Sequence, residues 1–203
     1  MTVLLGQPAL SGVNFDSRTK VLTVSGATTM KQSTDVFIQL KNNDVRTVVL
    51  YGQGGNFYSG LYMGRLFKKY DVTIVVPENT QCISACAFMA LADKDLVLDG
   101  ELLFHTPYLK KVDANKTALE IAQSFGEAYM DMSMYLTEMG ASIQFGKQLL
   151  SRTNTCKFIT INDSTQITKL LSAENTSEHI WVKNTITDNC ELMRMLQNSS
   201  IEH

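Results

Sequence analysis

The sequence contains no apolar run of the length that a membrane-spanning helix needs, which is about 18 residues or more. Its longest candidates, around Val72–Val76 and Ala85–Ala92, have the length of a strand and of a short helix. An excess of basic residues is also absent, since 18 lysines and arginines stand against 20 aspartates and glutamates. General nucleic-acid binders normally carry a basic excess or stripe. We therefore expect no membrane span and no nucleic-acid partner.

Potential metal ligands do not cluster in the sequence. The three histidines are His105, His179 and His203, and they do not cluster with one another or with carboxylates. Two of the four cysteines, Cys82 and Cys86, are spaced as Cys-x3-Cys with no histidine nearby. This spacing is a poor zinc pattern. The sequence therefore predicts no metal and no other cofactor.

The sequence does contain a regular alternation of strand and helix patterns. Strands buried on both faces are predicted at 46–51 and 72–76, because both stretches are rich in β-branched residues and nearly continuous. A half-buried strand is predicted at 20–25, and the longest helix at 114–139. With 203 residues, 44% of them hydrophobic, the chain can form one substantial core. Strand–helix alternation with buried, parallel-type strands predicts an α/β fold.

Three local features could carry chemistry, although each also has an ordinary structural explanation. Gly54-Gly55 directly follows a buried strand, where glycines permit close approach of a ligand or simply form a tight turn. Ser84 opens a helix of small residues, where the helix dipole and unpaired N–H groups favour a developing anion, or where the serine is simply an N-cap. His105 ends an apolar strand, where a histidine is often only structural. All three occur in this order within residues 54–105, and the combination favours a functional site.

This combination resembles the Clp protease and crotonase-like superfamily. The stretch Tyr51–Gly60 is similar to the family's Ser-Pro-Gly-Gly segment and the helix after it. Cys82–Ala92 is similar to its nucleophile helix, and Phe104–Pro107 to the strand that bears its catalytic histidine. The resemblance covers roughly residues 20–172. It is nearest to exported bacterial proteins related to the Clp proteolytic subunit and to signal peptide peptidase A.

The resemblance implies an architecture and an assembly. The expected fold is a superhelix of repeated β-β-α units, with one domain over residues 1–172 and a polar C-terminal segment over residues 173–203. Relatives generally oligomerise, so a homo-oligomer is expected. The methionine- and tyrosine-rich stretch Tyr129–Tyr135 fits burial in the core and fits a subunit interface equally well.

The same resemblance implies that Ser84 is the nucleophile and His105 the general base. A serine hydroxyl is a poor nucleophile unless a base takes its proton, and histidine is the side chain best suited to that near neutral pH. The backbone N–H groups of Gly55 and Ala85 would form the oxyanion hole. These roles predict a serine hydrolase of the peptidase kind, built on a Ser84–His105 dyad.

A peptide or protein substrate would lie extended along the glycine-rich strand, held through Gly54 and Asn56 as an added β-strand is held. The sequence departs from the family here, because Gln53 stands where the family has the proline before Gly-Gly. The substitution removes a rigid residue from the strand that supplies the oxyanion hole.

The third member of the family's catalytic triad is missing. Cys156 stands where the family has an aspartate, and no carboxylate occurs between residues 138 and 163. Asn154, Thr155 or a backbone carbonyl would then orient His105. In the worked serine-protease example, replacing the buried aspartate lowers kcat by about 10⁴. A catalytically degenerate module for binding or assembly is therefore the alternative to the hydrolase.

A crotonase-type acyl-CoA enzyme is a third alternative. Such enzymes usually place carboxylates near the oxyanion hole, and Glu101 is the only acid close to His105 in the sequence. No cluster of basic residues suited to the phosphates of coenzyme A accompanies it.

The cysteines bear on the location of the protein. No signal peptide is visible, yet the likeness to exported proteins implies a periplasmic or secreted protein, with a cytoplasmic location as the alternative. Cys156 lies in the loop of the missing acid and Cys190 in the C-terminal segment. We expect these two to form a disulfide, which would tie the segment to the domain. Cys82 and Cys86 would then remain free thiols, with a partner for Cys82 from a distant segment as the alternative.

Overall fold

A computed structural model describes residues 12–108, 115–154, 156–171, 186–188 and 190–191. The chain divides into two units, Met1–Leu102 and Leu103–His203, and the division falls inside one strand. In the first unit the described elements are, in chain order, β1 (Gly12–Asp16), β2 (Val21–Thr28), α1 (Met30–Asn42), β3 (Thr47–Gly55), α2 (Phe57–Lys69), β4 (Thr73–Val76), β5 (Gln81–Ile83), α3 (Ala85–Ala90), β6 (Val97–Leu98) and the start of β7 (Glu101–Phe104). In the second unit they are the end of β7, α4 (Ala118–Met139), α5 (Ile143–Arg152), β8 (Lys157–Ile161), α6 (Ser164–Leu171) and β9 (Ile186–Asp188).

Strand β3 organises the mixed sheet of the first unit. It runs parallel to β2, and β2 pairs antiparallel with β1. Over its first half β3 pairs with β4, and at Gly52 it pairs with Cys82 of β5. The inward side chains of Val48 and Leu50 are fully buried, as the continuous β-branched run predicts. Because β3 and β5 are parallel, the glycines that end β3 lie at the same edge of the sheet as the end of β5.

Helix α3 is buried on every side. None of its six residues is more than 2% exposed, and most are small. Small residues allow the neighbouring helix α2 to approach closely: a Cβ placed on Gly60 would lie only 2.9 Å from the Cβ of Ala85. This packing holds the start of α3 in a defined position against the core.

Helix α4 is the first described helix of the second unit. It begins at a capping box, in which Thr117 and Glu120 satisfy each other's backbone N–H groups, and it ends at Gly140 with φ 86°. Its buried stripe is formed by Met132, Tyr135, Leu136 and Met139. Met130 and Met134 are instead 66% and 54% exposed. Burial in the core therefore accounts for one face of the helix, and the methionine face remains open in the single chain.

Strand β9 and Cys190, which follow α6 in the chain, are connected to β8 and to the residue before it. Strand β9 pairs antiparallel with β8, with Ile159 opposite Ile186, and the Cys156–Cys190 disulfide closes the same region. This disulfide confirms the predicted pairing. The expected free thiols are wrong, because Cys82 and Cys86 form a second disulfide. The expected domain boundary between residues 172 and 173 lies outside the described residues and stays a prediction. Over the described ranges, no helix is long and apolar enough to cross a membrane.

Candidate active site

Ser84 forms the turn between β5 and α3. Its backbone has φ 58° and ψ -121°, a conformation that residues other than glycine rarely adopt. Its side chain accepts no hydrogen bond from the first turn of the helix, so Ser84 does not act as the ordinary side-chain N-cap. Placing a serine on a strained strand-to-helix turn is a known way to present a nucleophilic hydroxyl.

The glycine pair at the end of β3 lies against this turn. Gly54 has φ +75°, and a Cβ added there would overlap the carbonyl oxygen of Ile83. The same Cβ would lie 2.9 Å from the backbone nitrogen of Ala85 and 2.9 Å from the Cβ of Ser84. Only glycine permits this approach. The structure therefore brings Gly54, Ser84 and Ala85 together.

The residues after Gly54 are held by β2 and α2. Gly55 has φ +150°, and a Cβ on it would overlap the carbonyl oxygen of Thr28. Asn56 donates its N–H to that same carbonyl at 2.8 Å, and its side-chain oxygen accepts from the N–H of Ser59 at 2.9 Å. Its own carbonyl accepts from Gly60. Asn56 thus uses its N–H group and both of its oxygens within the chain.

The second disulfide spans the Ser84 turn. Cys82 precedes the serine by two residues and Cys86 follows it by two, with a Cα–Cα distance of 5.0 Å. Both cysteines are at most 2% exposed. Sequence reasoning missed this pair because Cys82 precedes the helix, and no local pattern determines the direction of its side chain. The left-handed turn at Ser84 reverses the chain and brings the two Cα atoms within disulfide range.

His105 follows β7 in the second unit and is 2% exposed. Its Nδ1 lies 2.8 Å from the carbonyl oxygen of Thr106. A carbonyl oxygen can only accept, so Nδ1 carries the proton and Nε2 is the basic nitrogen. Burial lowers the pKa of His105, and the bond to Thr106 opposes part of that effect. The ring is therefore neutral at neutral pH, as a general base must be.

The ring of His105 is enclosed by aromatic side chains and a buried hydrogen-bond chain. Phe158 meets it edge-on at 5.2 Å between centroids, and Tyr108 lies at 5.5 Å. The N–H of Thr106 donates to Oγ1 of Thr153 at 3.0 Å, and that hydroxyl donates to the carbonyl of Leu149 at 2.6 Å. Sequence reasoning missed Thr106 and Thr153, because nothing local links two residues 47 positions apart.

Asn154, which the sequence offered as a residue to orient the histidine, makes its side-chain hydrogen bonds elsewhere. The side-chain oxygen of Asn154 accepts the N–H groups of Cys156 and Lys157 at 2.8 and 3.0 Å, in the turn that leads into β8. Thr155 lies outside the described residues. The observed partner of Nδ1 is the backbone carbonyl of Thr106, which is the third alternative raised by the sequence.

The structure thus defines two groups of site residues. Gly54, Ser84 and Ala85 meet in the first unit, and His105 has its own surroundings in the second. The Ser84–His105 dyad joins residues of different units and stays a prediction. Within the part of the chain that the structure describes, no group of three or more His, Cys, Asp and Glu side chains could hold a metal ion.

Protonation of the neutral His105 ring should weaken the fold in acid. The pKa is lowered below the ordinary 6.5 in the folded state, so between these two values the unfolded chain binds more protons. The stabilisation is complete above pH 6.5 and is lost as pH falls through the folded pKa. We expect the free energy of unfolding, measured in urea from pH 7.5 to pH 4.5, to fall more steeply for the wild type than for His105→Gln. Identical pH dependence in the two proteins would contradict this.

The chain is similar to known proteins in its fold. The sequence matches no protein-family model and no curated protein. Among solved structures, it is similar to a mutant of ClpP1 from Listeria monocytogenes, with a TM-score of 0.58 and 16% sequence identity. The match covers 75% of this chain and 90% of that one. At this identity the likeness establishes the fold alone: the chain has a ClpP-like α/β fold, and the predicted ClpP/crotonase-like class is confirmed.

Proposed function

We propose that the protein is a serine hydrolase that cleaves peptides or proteins, with Ser84 as nucleophile and His105 as general base. The observation that carries the proposal is the conformation of Ser84. A non-glycine residue with φ 58° costs on the order of 1–3 kcal/mol, and such residues concentrate at functional sites. The side chain does not repay that cost by capping α3. A role in chemistry explains why a serine stands there.

The proposed mechanism uses the protonation state of His105. Oγ of Ser84 attacks the scissile carbonyl carbon while its proton passes to Nε2 of His105. The amine leaves with that proton, and an acyl-serine remains. A water molecule then gives a proton to His105 and attacks the acyl carbonyl carbon, the acid product leaves, and His105 returns the proton to Oγ of Ser84. The Nδ1–H bond to Thr106 supports this assignment, because it leaves Nε2 as the nitrogen that takes up the proton and gives it back.

The oxyanion hole is proposed to consist of the N–H groups of Gly55 and Ala85. Support comes from the contact of Gly54 with the Ser84-Ala85 peptide, which places the end of β3 beside the nucleophile. Losing one such donor typically costs about 3 kcal/mol of transition-state stabilisation. Because Asn56 uses its backbone N–H and both of its oxygens inside the chain, we expect it to support the strand on which the substrate pairs with the backbone at Gly54.

The proposed setting is an oxidising one. Two disulfides are consistent with a periplasmic or secreted protein, since such bonds persist outside the reducing cytosol. A homo-oligomer is also proposed, and the exposed methionine face of α4 supports it, because methionine is enriched at protein interfaces.

A catalytically degenerate binding or assembly module is the second candidate. One observation favours it: the Nδ1–H of His105 meets a neutral carbonyl instead of a carboxylate. A carboxylate would also stabilise the imidazolium that forms during catalysis, and a carbonyl does so less well.

Reaction with a fluorophosphonate probe separates the two candidates. The wild type should incorporate one equivalent of probe, and Ser84→Ala should incorporate none. Ser124→Ala is the matched control, because Ser124 lies on α4, where its hydroxyl donates to the carbonyl of Glu120. That variant should label like the wild type. Intact mass measures the labelling, and peptide mapping should locate it at Ser84. An unlabelled wild type, folded by circular dichroism, would support the degenerate module.

A further inference from the structure

The missing acid leaves a physical problem at His105. Cys156, which stands in its place, is bonded to Cys190 and offers no carboxylate. A general base still needs one ring nitrogen protonated and the other free, with the ring held in one orientation. In this chain the carbonyl of Thr106 occupies the position at Nδ1. The question is what holds that carbonyl in place.

The Thr106 carbonyl is held through the backbone N–H of the same residue. The N–H of Thr106 donates to Oγ1 of Thr153 at 3.0 Å. Thr153 ends helix α5, and both its backbone N–H and its hydroxyl donate to the carbonyl of Leu149, at 3.2 and 2.6 Å. Its hydroxyl therefore has one donor bond and one acceptor bond, and its orientation is determined from both sides.

Burial of both threonines stabilises the hydrogen bond between them. Thr106 is 7% exposed and Thr153 is 8% exposed. A buried N–H without a partner is unfavourable, so Thr106 is held to the Thr153 hydroxyl. Keeping that bond restricts rotation of Thr106 and keeps its carbonyl directed at Nδ1.

We infer that Thr153 is a positioning residue for His105, acting through Thr106. The chain of bonds runs from the ring Nδ1–H to the Thr106 carbonyl, and from the Thr106 N–H to the Thr153 hydroxyl. It selects the tautomer that leaves Nε2 basic, which is the orienting task that a carboxylate performs in a full triad. Its catalytic consequence rests on the proposed hydrolase function. The tautomer itself does not.

The variants follow from the chemistry of threonine. Thr153→Val keeps the shape and removes the hydroxyl, whereas Thr153→Ser keeps the hydroxyl. Thr137→Val is the matched control: the hydroxyl of Thr137 also bonds the carbonyl four residues earlier, that of Ser133, but it lies exposed on α4. This control loses the same kind of helix bond and leaves Thr106 untouched.

The first readout is the histidine tautomer, measured from ¹⁵N chemical shifts of protein labelled at histidine. We expect His105 in the wild type, Thr153→Ser and Thr137→Val to show the Nδ1–H form at pH 7.5. Thr153→Val should show a loss of that form, with Nε2–H rising. If His105 of the wild type carries its proton on Nε2, the inference is overturned without any variant. An unchanged Nδ1–H population in Thr153→Val also overturns it.

The second readout is the rate of fluorophosphonate labelling against pH. Thr153→Val should label on the order of 10- to 100-fold more slowly at its optimum, part of the contribution that general-base catalysis makes. Thr153→Ser should restore the rate to within about twofold of the wild type. A wild type that does not label, but whose tautomer responds to Thr153→Val, rejects the hydrolase function and keeps the positioning role. Normal labelling by Thr153→Val rejects the role.

Discussion

Gly54→Ala is expected to lower the free energy of unfolding by about 3 kcal/mol, the sum of a left-handed backbone for a non-glycine residue and an overpacked buried contact. Gly54 has φ +75°, and the new Cβ would overlap the carbonyl of Ile83. That atom is backbone, so it cannot move without shifting the Ser84 turn. The variant should therefore also lose most fluorophosphonate labelling at Ser84. Urea denaturation followed by circular dichroism measures the stability.

Gly126→Ala is the control within the same chain. Gly126 lies inside α4, and a Cβ added there would meet nothing within 4 Å. Replacing a glycine in the interior of a helix with alanine should raise the free energy of unfolding by about 1 kcal/mol. Labelling should be unchanged. If both variants lose stability equally, the loss at Gly54 does not arise from its contact with the turn.

Removing the two disulfides should have different effects on stability and on reactivity. The Cys156–Cys190 bond joins residues 34 positions apart. Cys156→Ala with Cys190→Ala should therefore cost about 3–4 kcal/mol on the chain-entropy account. The Cys82–Cys86 bond joins residues only four apart, for which the same account gives about 2 kcal/mol. The second bond, however, encloses Ser84.

We therefore expect Cys82→Ala with Cys86→Ala to slow the labelling of folded protein, because the Ser84 turn loses the bond that spans it. The other pair of substitutions should leave the labelling rate of folded protein close to that of the wild type. Each double variant is the control for the other, measured in urea for stability and with the probe for reactivity. A labelling rate unaffected by loss of the Cys82–Cys86 bond would show that the turn holds its conformation without it.

Much of the fold could be predicted because its signals are local. The β-branched runs at 46–51 and 72–76 become β3 and β4, shifted by a residue at the start and extended in β3 through the glycines. The helix predicted at 114–139 begins at Ala118, where the capping box of Thr117 and Glu120 starts it. Hydrophobic period, β-branching and capping act between near neighbours, so the order of residues contains them.

The sequence by itself determined the α/β class and the order of the motifs, whereas the parallel pairing of β3 with β5 brings Gly54 beside Ser84. Only the tertiary structure decided the partner of Cys82, the backbone strain at Ser84 and the carbonyl that holds Nδ1 of His105. Thr106 and Thr153 are 47 positions apart, and they meet only because the end of α5 lies beside the residue after His105. Such contacts depend on how packed elements are placed, and no local pattern in the chain specifies that placement.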